Sequence, residues 1–127
     1  MKNTIKTIIL SLSFLTVTHS FAKTIQLDDL YERYQEDDYS TLGLEEFGQE
    51  IEFKGVIAGR DENLSGGVVF DISSPAQPET VIARLLPSAN GEKKFQKLKD
   101  GQSIQAKCTL GMASGSDFMT LDECEIK

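Results

Sequence analysis

Apolar residues follow three different patterns along this chain. From Ile8 to Val17 they crowd together: Ile8, Ile9, Leu10, Leu12, Phe14, Leu15 and Val17. Leu27, Leu30, Tyr31 and Tyr34 then recur at i, i+3, i+4 and i+7, the spacing of one helix face. Asp28, Asp29, Glu32, Arg33, Gln35 and Glu36 fill the opposite face, so an amphipathic helix is predicted over residues 26–37. The acids at its start complement the helix dipole, and the two tyrosines read as core. Residues 38–48 read as a loop or a second short turn, with Gly43 and Gly48 as breakers.

From Glu50 the period changes to two. Ile51 and Phe53 alternate with polar residues and lead through Val56 and Ile57, with Gly55 and Gly59 marking a bend or bulge in the strand. Arg60 to Gly67 is a polar turn, and Val68, Phe70 and Ile72 form a second strand, paired with the first as a hairpin. Ser73 to Pro78 is expected as a loop. Val81, Ala83 and Leu85 form a third strand closed by Pro87. Asn90-Gly91 is a turn, and Glu92 to Leu98 a short helix with Phe95 and Leu98 inward. Ile104, Ala106, Cys108 and Leu110 form a fourth strand. Met119, Leu121, Cys124 and Ile126 form a fifth, and the parity change after Leu121 predicts a bulge at Asp122-Glu123.

The cysteines test this layout. An antiparallel pair turning at Ser114-Gly115-Ser116-Asp117 and centred on Ser116 places Cys108 opposite Cys124. Directly opposed residues lie at a separation a disulfide can bridge. There is no Cys-x-x-Cys, so the pair reads as structural rather than redox-active.

The crowded first segment changes the compartment. Lys2 and Lys6 precede the apolar run, and Ser20-Phe21-Ala22 offers small residues at the −3 and −1 positions before Lys23. This is the pattern of a secretory signal peptide, residues 1–22, cleaved after Ala22. The run is too short and too rich in Ser and Thr to span a bilayer. No cysteine stands near residue 20 for lipid attachment. The expected product is a soluble periplasmic or secreted chain, residues 23–127, folded as a single domain and housed where a disulfide persists.

Removing residues 1–22 also removes Lys2 and Lys6, taking the formal net charge from −7 to −9, and it removes His19, the only histidine. Nucleophile systems built on Ser and His, or Cys and His, are thereby excluded. So are zinc sites of the His/Cys type. No G-x-S-x-G, phosphate-binding P-loop or EF-hand loop is present. Gly111 to Gly115 is a turn, not a nucleophile elbow, and Ser20-x-x-Lys23 straddles the cleavage site. Asp61, Glu62 and Asn63 read as an exposed hairpin turn rather than a calcium site. No metal, cofactor or catalytic residue is expected.

Three strands, a helix and two strands is the element order of the five-stranded OB-type Greek-key barrel, here with an N-terminal amphipathic helix in front. The chain resembles the tRNA-anti-like OB-fold family of small exported proteins and lipoproteins. The resemblance runs from about Leu27 to Ile126. It rests on Leu30-x3-Tyr34, Phe47-Gly48-Gln49, Ile51-x-Phe53-x-Gly55-x-Ile57, Leu98-x2-Gly101-x2-Ile104, and Cys108 with Leu121-x2-Cys124-x-Ile126. The chain departs from many members in lacking a lipobox cysteine and in having Gln35-Glu36 where an Asn-Glu pair follows the leading helix. The family has no common reaction, so the resemblance implies a fold and little more.

OB barrels bind through strands two and three and the loops between strands 1–2 and 4–5. That makes Arg60, Val69, Asp71, Ile82, Arg84, Met112 and Phe118 the candidate binding face. Phe118 and Met112 would be apolar anchors and Arg84 a polar one. One aromatic and two arginines make a poor oligonucleotide site, and the net charge repels phosphate backbones. The leading expectation is a non-enzymatic binding module for another protein. An inhibitor or immunity protein against a basic periplasmic protein is a specific form of it, the acidic surface steering the partner. An oligonucleotide or oligosaccharide ligand is the second reading, and a carboxylate-based hydrolase the third.

Overall fold

The computed structural model describes residues 22–127. The expected signal segment therefore lies, except for Ala22, outside the described residues. The elements are β1 (Lys23–Thr24), α1 (Leu27–Glu36), β2 (Glu50–Glu62), β3 (Val68–Ser74), β4 (Gln77–Pro87), α2 (Glu92–Gln96), β5 (Ser103–Leu110) and β6 (Met119–Ile126). The protein is mainly β. Its six strands form one mixed sheet in the order β1-β2-β3-β4-β6-β5, and β2 also pairs with β5. The pairings β2–β3–β4–β6–β5–β2 thus close into a ring of hydrogen bonds. All of them are antiparallel except β4–β6.

The ring depends on one strand. The first half of β2, Glu50 to Val56, pairs with β5, and the second half, Val56 to Glu62, pairs with β3. Gly55 stands at the handover, where an added Cβ would lie 2.9 Å from Ile72 Cγ2. A side chain there would hold β2 and β3 apart, so glycine permits the bend. A register shift follows between Ile57 and Gly59. The predicted bulge in β6 is present. Ala106 and Lys107 pair with Ile126 and Glu125, the register shifts, and Thr109 pairs with Asp122. Glu123 takes up the extra residue at a φ of 52°. The same hairpin carries the Cys108–Cys124 disulfide, with Cα atoms 4.2 Å apart.

Alternation places the core inside the ring. Ile51, Phe53, Ile57, Phe70, Ile72, Leu85, Ala106, Leu110, Met119 and Leu121 are all buried in one cluster. Helix α1 adds Leu27, Leu30 and Tyr34 to it. Its tyrosines are tied to the 111–118 segment: Tyr34 Oη donates to the Ser116 carbonyl (2.6 Å) and Tyr31 Oη to that of Asp117 (2.9 Å). Helix α2 sits at the other end of the ring, its Phe95 ring 5.4 Å from that of Phe70.

Two expectations need correcting. Ser73 to Pro78 is not a loop: β3 runs to Ser74 and β4 begins at Gln77, leaving a tight turn over Pro75-Ala76. The two prolines disguise it, because Pro78 lies in the exposed start of β4 where a missing N–H costs little. The two-residue strand β1, parallel to Ile51-Glu52, was not expected either, being too short to show a period.

Candidate functional site

The outer side of the ring over β3, β4 and β6 gathers three of the predicted residues. Asp71 and Arg84 are directly opposed across β3 and β4, with Arg84 Nε 3.4 Å from Asp71 Oδ1. That oxygen accepts no hydrogen bond, so the contact is coulombic. Arg84 also pairs in register with Thr120, just beyond the 111–118 loop that delivers Phe118. The guanidinium carbon lies 5.0 Å from the Phe118 ring centroid. A cation over an aromatic face is worth roughly 1 kcal/mol at such a site. Arg84 is thus held between a ring and a carboxylate while its side chain stays 48% exposed. Its guanidinium is a fork that suits a carboxylate, phosphate or carbonyl.

The other candidates go elsewhere. Arg60 pairs in register with Phe70 and turns toward α2, its guanidinium 5.1 Å from the Phe70 ring. It donates to the carbonyls of Gln96 and Leu98, both at 3.1 Å, and so closes the C-terminal end of α2. The register shift after Ile57 is the cause, since one extra residue reverses which way the rest of β2 points. Ile82 falls at the shift between Ile72 and Ser73, which turns it into the core at 3% exposure. Val69 is also buried, at 8%. Met112 is exposed, within the 111–118 loop.

A charge site that the pattern of apolar residues does not show lies under α1. Glu46 is buried, its side chain 1% exposed, and Arg33 grips both of its oxygens, at 2.9 and 2.5 Å. Lys23 Nζ stands 3.8 Å away. The Arg33 hydrogen bonds hold the Glu46 carboxyl below its ordinary value, outweighing burial, which acts the other way. Thr41 works beside it, donating to the Gly111 carbonyl (2.8 Å) and accepting from Ala113 N–H (2.9 Å). Together they pin residues 40–48 between α1 and the 111–118 loop. The i, i+13 spacing of Arg33 and Glu46 follows no periodicity, so only the folded chain reveals the pair. Asp122 differs: burial first, then the neighbouring Glu123, pushes its carboxyl up.

Recesses open on the surface of the described residues. One, of about 390 Å³, lies between the start of α1, Phe53-Lys54 and the Pro75-Ala76 turn. Another, of about 340 Å³, lies beside the disulfide and is lined by Glu50, Lys107, Glu123 and Glu125. Among the described residues no group of three or more His, Cys, Asp or Glu is placed to hold a metal ion, and no helix is long and apolar enough to cross a membrane.

No protein-family model and no curated protein matches the chain. Solved structures do. The crystal structure of a "putative nucleic acid-binding lipoprotein" from Klebsiella pneumoniae subsp. pneumoniae superposes with a TM-score of 0.60. The superposition covers 84% of this chain and 92% of that one, at 14% sequence identity. At that identity the likeness is one of fold.

Proposed function

We propose that the chain is an exported, non-enzymatic binding module with an OB-type five-stranded barrel, of the tRNA-anti-like kind, whose partner is another protein. The closed β2–β3–β4–β6–β5 ring, with α2 between its third and fourth strands, supports the barrel. The signal pattern over residues 1–22 and the disulfide support export into an oxidising compartment, with residues 23–127 as one domain. The absence of histidine beyond residue 19 supports a role without nucleophilic or imidazole-based catalysis.

The observation that carries the binding reading is the Asp71–Arg84–Phe118 stack on the outer side of the ring. Arginine and aromatic residues are the side chains that most often dominate protein interfaces. Asp71 and the wider acidic surface favour a basic partner, such as the target of an inhibitor or immunity protein. The test is to export the full-length chain with a C-terminal tag, recover it, and identify what co-purifies at low and at high salt. A basic protein retained at low salt, lost at high salt, and lost in Arg84→Ala supports the reading. Co-purification that Arg84→Ala leaves intact contradicts it.

The description of the Klebsiella protein as nucleic acid-binding favours a second reading, an oligonucleotide ligand. Here a base would stack on the exposed side of Arg84 or Phe118. Saturable binding of single strands at physiological salt, lost in Phe118→Ala, would replace the first reading with this one. An oligosaccharide ligand and a carboxylate hydrolase have no comparable support.

A further inference from the structure

The chain's net negative charge hides a cluster of lysines on and after α2. Lys93, Lys94, Lys97 and Lys99 fall within seven residues, and all four are exposed. They point outward because Phe95 is buried and Leu98 packs against the core, which turns every other position of α2 and the following turn to solvent. Glu92 and Asp100 bracket them, yet none of the four lysines is ion-paired among the described residues. Lys23, Arg33, Arg84, Lys107 and Lys127 all are. Unpaired, mutually repelling ammonium groups lose repulsion and release counterions when they meet an anionic surface.

Position strengthens the point. Helix α1, with acids at Asp28, Asp29, Glu32 and Glu36, lies at the 111–118 end of the ring, before Met119. The α2 end lies near Cys124, whose carbonyl accepts from Ser88 N–H. The bulged strand from Met119 to Cys124 separates those levels by at most about 17 Å. The β2–β3 hairpin, which also carries the exposed Asp61 and Glu62, presents Leu64, which is fully exposed. Its Cα is at most about 14 Å along the chain from that of Arg60, and Arg60 is bonded to the α2 carbonyls. No exposed aromatic ring stands among these lysines to stack a base, so charge and one apolar contact are what this end offers.

We propose that the α2 end is a docking surface for an anionic lipid bilayer, with Lys93, Lys94, Lys97 and Lys99 against the headgroups and Leu64 entering the interface. Docked this way, the protein turns its acidic α1 end away from the membrane.

The experiment compares the exported protein with the quadruple variant Lys93→Gln/Lys94→Gln/Lys97→Gln/Lys99→Gln and with Leu64→Ser, all with the same N-terminus. Each is co-sedimented with vesicles of phosphatidylcholine alone and of an equal mixture with phosphatidylglycerol, at low and physiological salt. The wild-type protein is expected to partition at least about tenfold more onto the mixed vesicles. The quadruple variant should lose that preference and Leu64→Ser should weaken it severalfold, with melting temperatures unchanged. Equal binding to both vesicles, or a quadruple variant that binds like wild type, overturns the proposal. So does a lysine-dependent complex with single-stranded oligonucleotide in the absence of vesicle binding, which would make nucleic acid the occupant. The Arg84→Ala co-purification test is independent of this result.

Discussion

Single residues here carry effects of opposite sign that resemble one another in the sequence. Gly55 and Gly59 are both strand glycines. A Cβ at Gly55 meets Ile72 at 2.9 Å, whereas at Gly59 the nearest atom is Asp71 Oδ2 at 3.5 Å, an ordinary contact. Gly55→Ala should therefore lower stability by about 1–3 kcal/mol, and Gly59→Ala should change it by no more than about 0.5 kcal/mol. Urea denaturation of both variants checks this, and equal losses would contradict the account of the bend. Two carboxyls form a second pair of opposites. Glu46 titrates below its ordinary 4.5, so the stability it contributes is present above that pH and is lost as pH falls through the lowered folded value. Asp122 titrates above its ordinary 3.8, so its favourable contribution exists below that pH and disappears as pH rises through the raised value. At neutral pH, Glu46→Gln should destabilise by about 1–3 kcal/mol, discounted because Arg33 stays partly hydrated, and Asp122→Asn should stabilise. Both differences should shrink when melts are repeated in strong acid.

Elements add what residues cannot. The β5–β6 hairpin was legible because turn chemistry, alternation and the midpoint of Cys108 and Cys124 agree, and the bulge at Glu123 follows from a parity break visible along the chain. Its disulfide closes a loop of sequence separation 16, worth about 3 kcal/mol in the chain-entropy model. The Cys108→Ser/Cys124→Ser variant should melt about 10–20 °C lower, and non-reducing mass spectrometry of the wild type should find no free thiol. Strand β2 was legible only in part. Its glycines announce a bend, but that its halves pair with β5 and β3 depends on strands far away in sequence. Bulges set the limit for the site. Alternation predicts an outward position for Ile82 and the polar run a turn from Arg60 onward, but a one-residue shift in β4 sends Ile82 into the core, and β2 continues to Glu62 with its own shift turning Arg60 to α2.

At the scale of the whole molecule, charge and binding separate into regions. Four acids lie on α1, the Arg84–Phe118 stack on the side of the ring, and unpaired lysines, bracketed by Glu92 and Asp100, at α2. Phe118→Ala should weaken partner capture at least about tenfold if the ring acts as an interface anchor, while calorimetry shows a melting temperature within a few degrees of wild type. A large drop in melting temperature would place Phe118 among the structural supports instead.

The order of the elements from α1 onward, the hairpin carrying the disulfide, and the core faces of α1 and β5 were all determined by the sequence alone. Each depends on local period, on composition or on a short turn, and such features survive without knowledge of distant partners. Closure of the ring, the burial of Glu46 against Arg33, and the diversion of Arg60 and Ile82 were decided only by the tertiary structure. Those features follow from which strand edges meet and where a bulge reverses parity, and such pairings become favourable only once remote segments have been brought together.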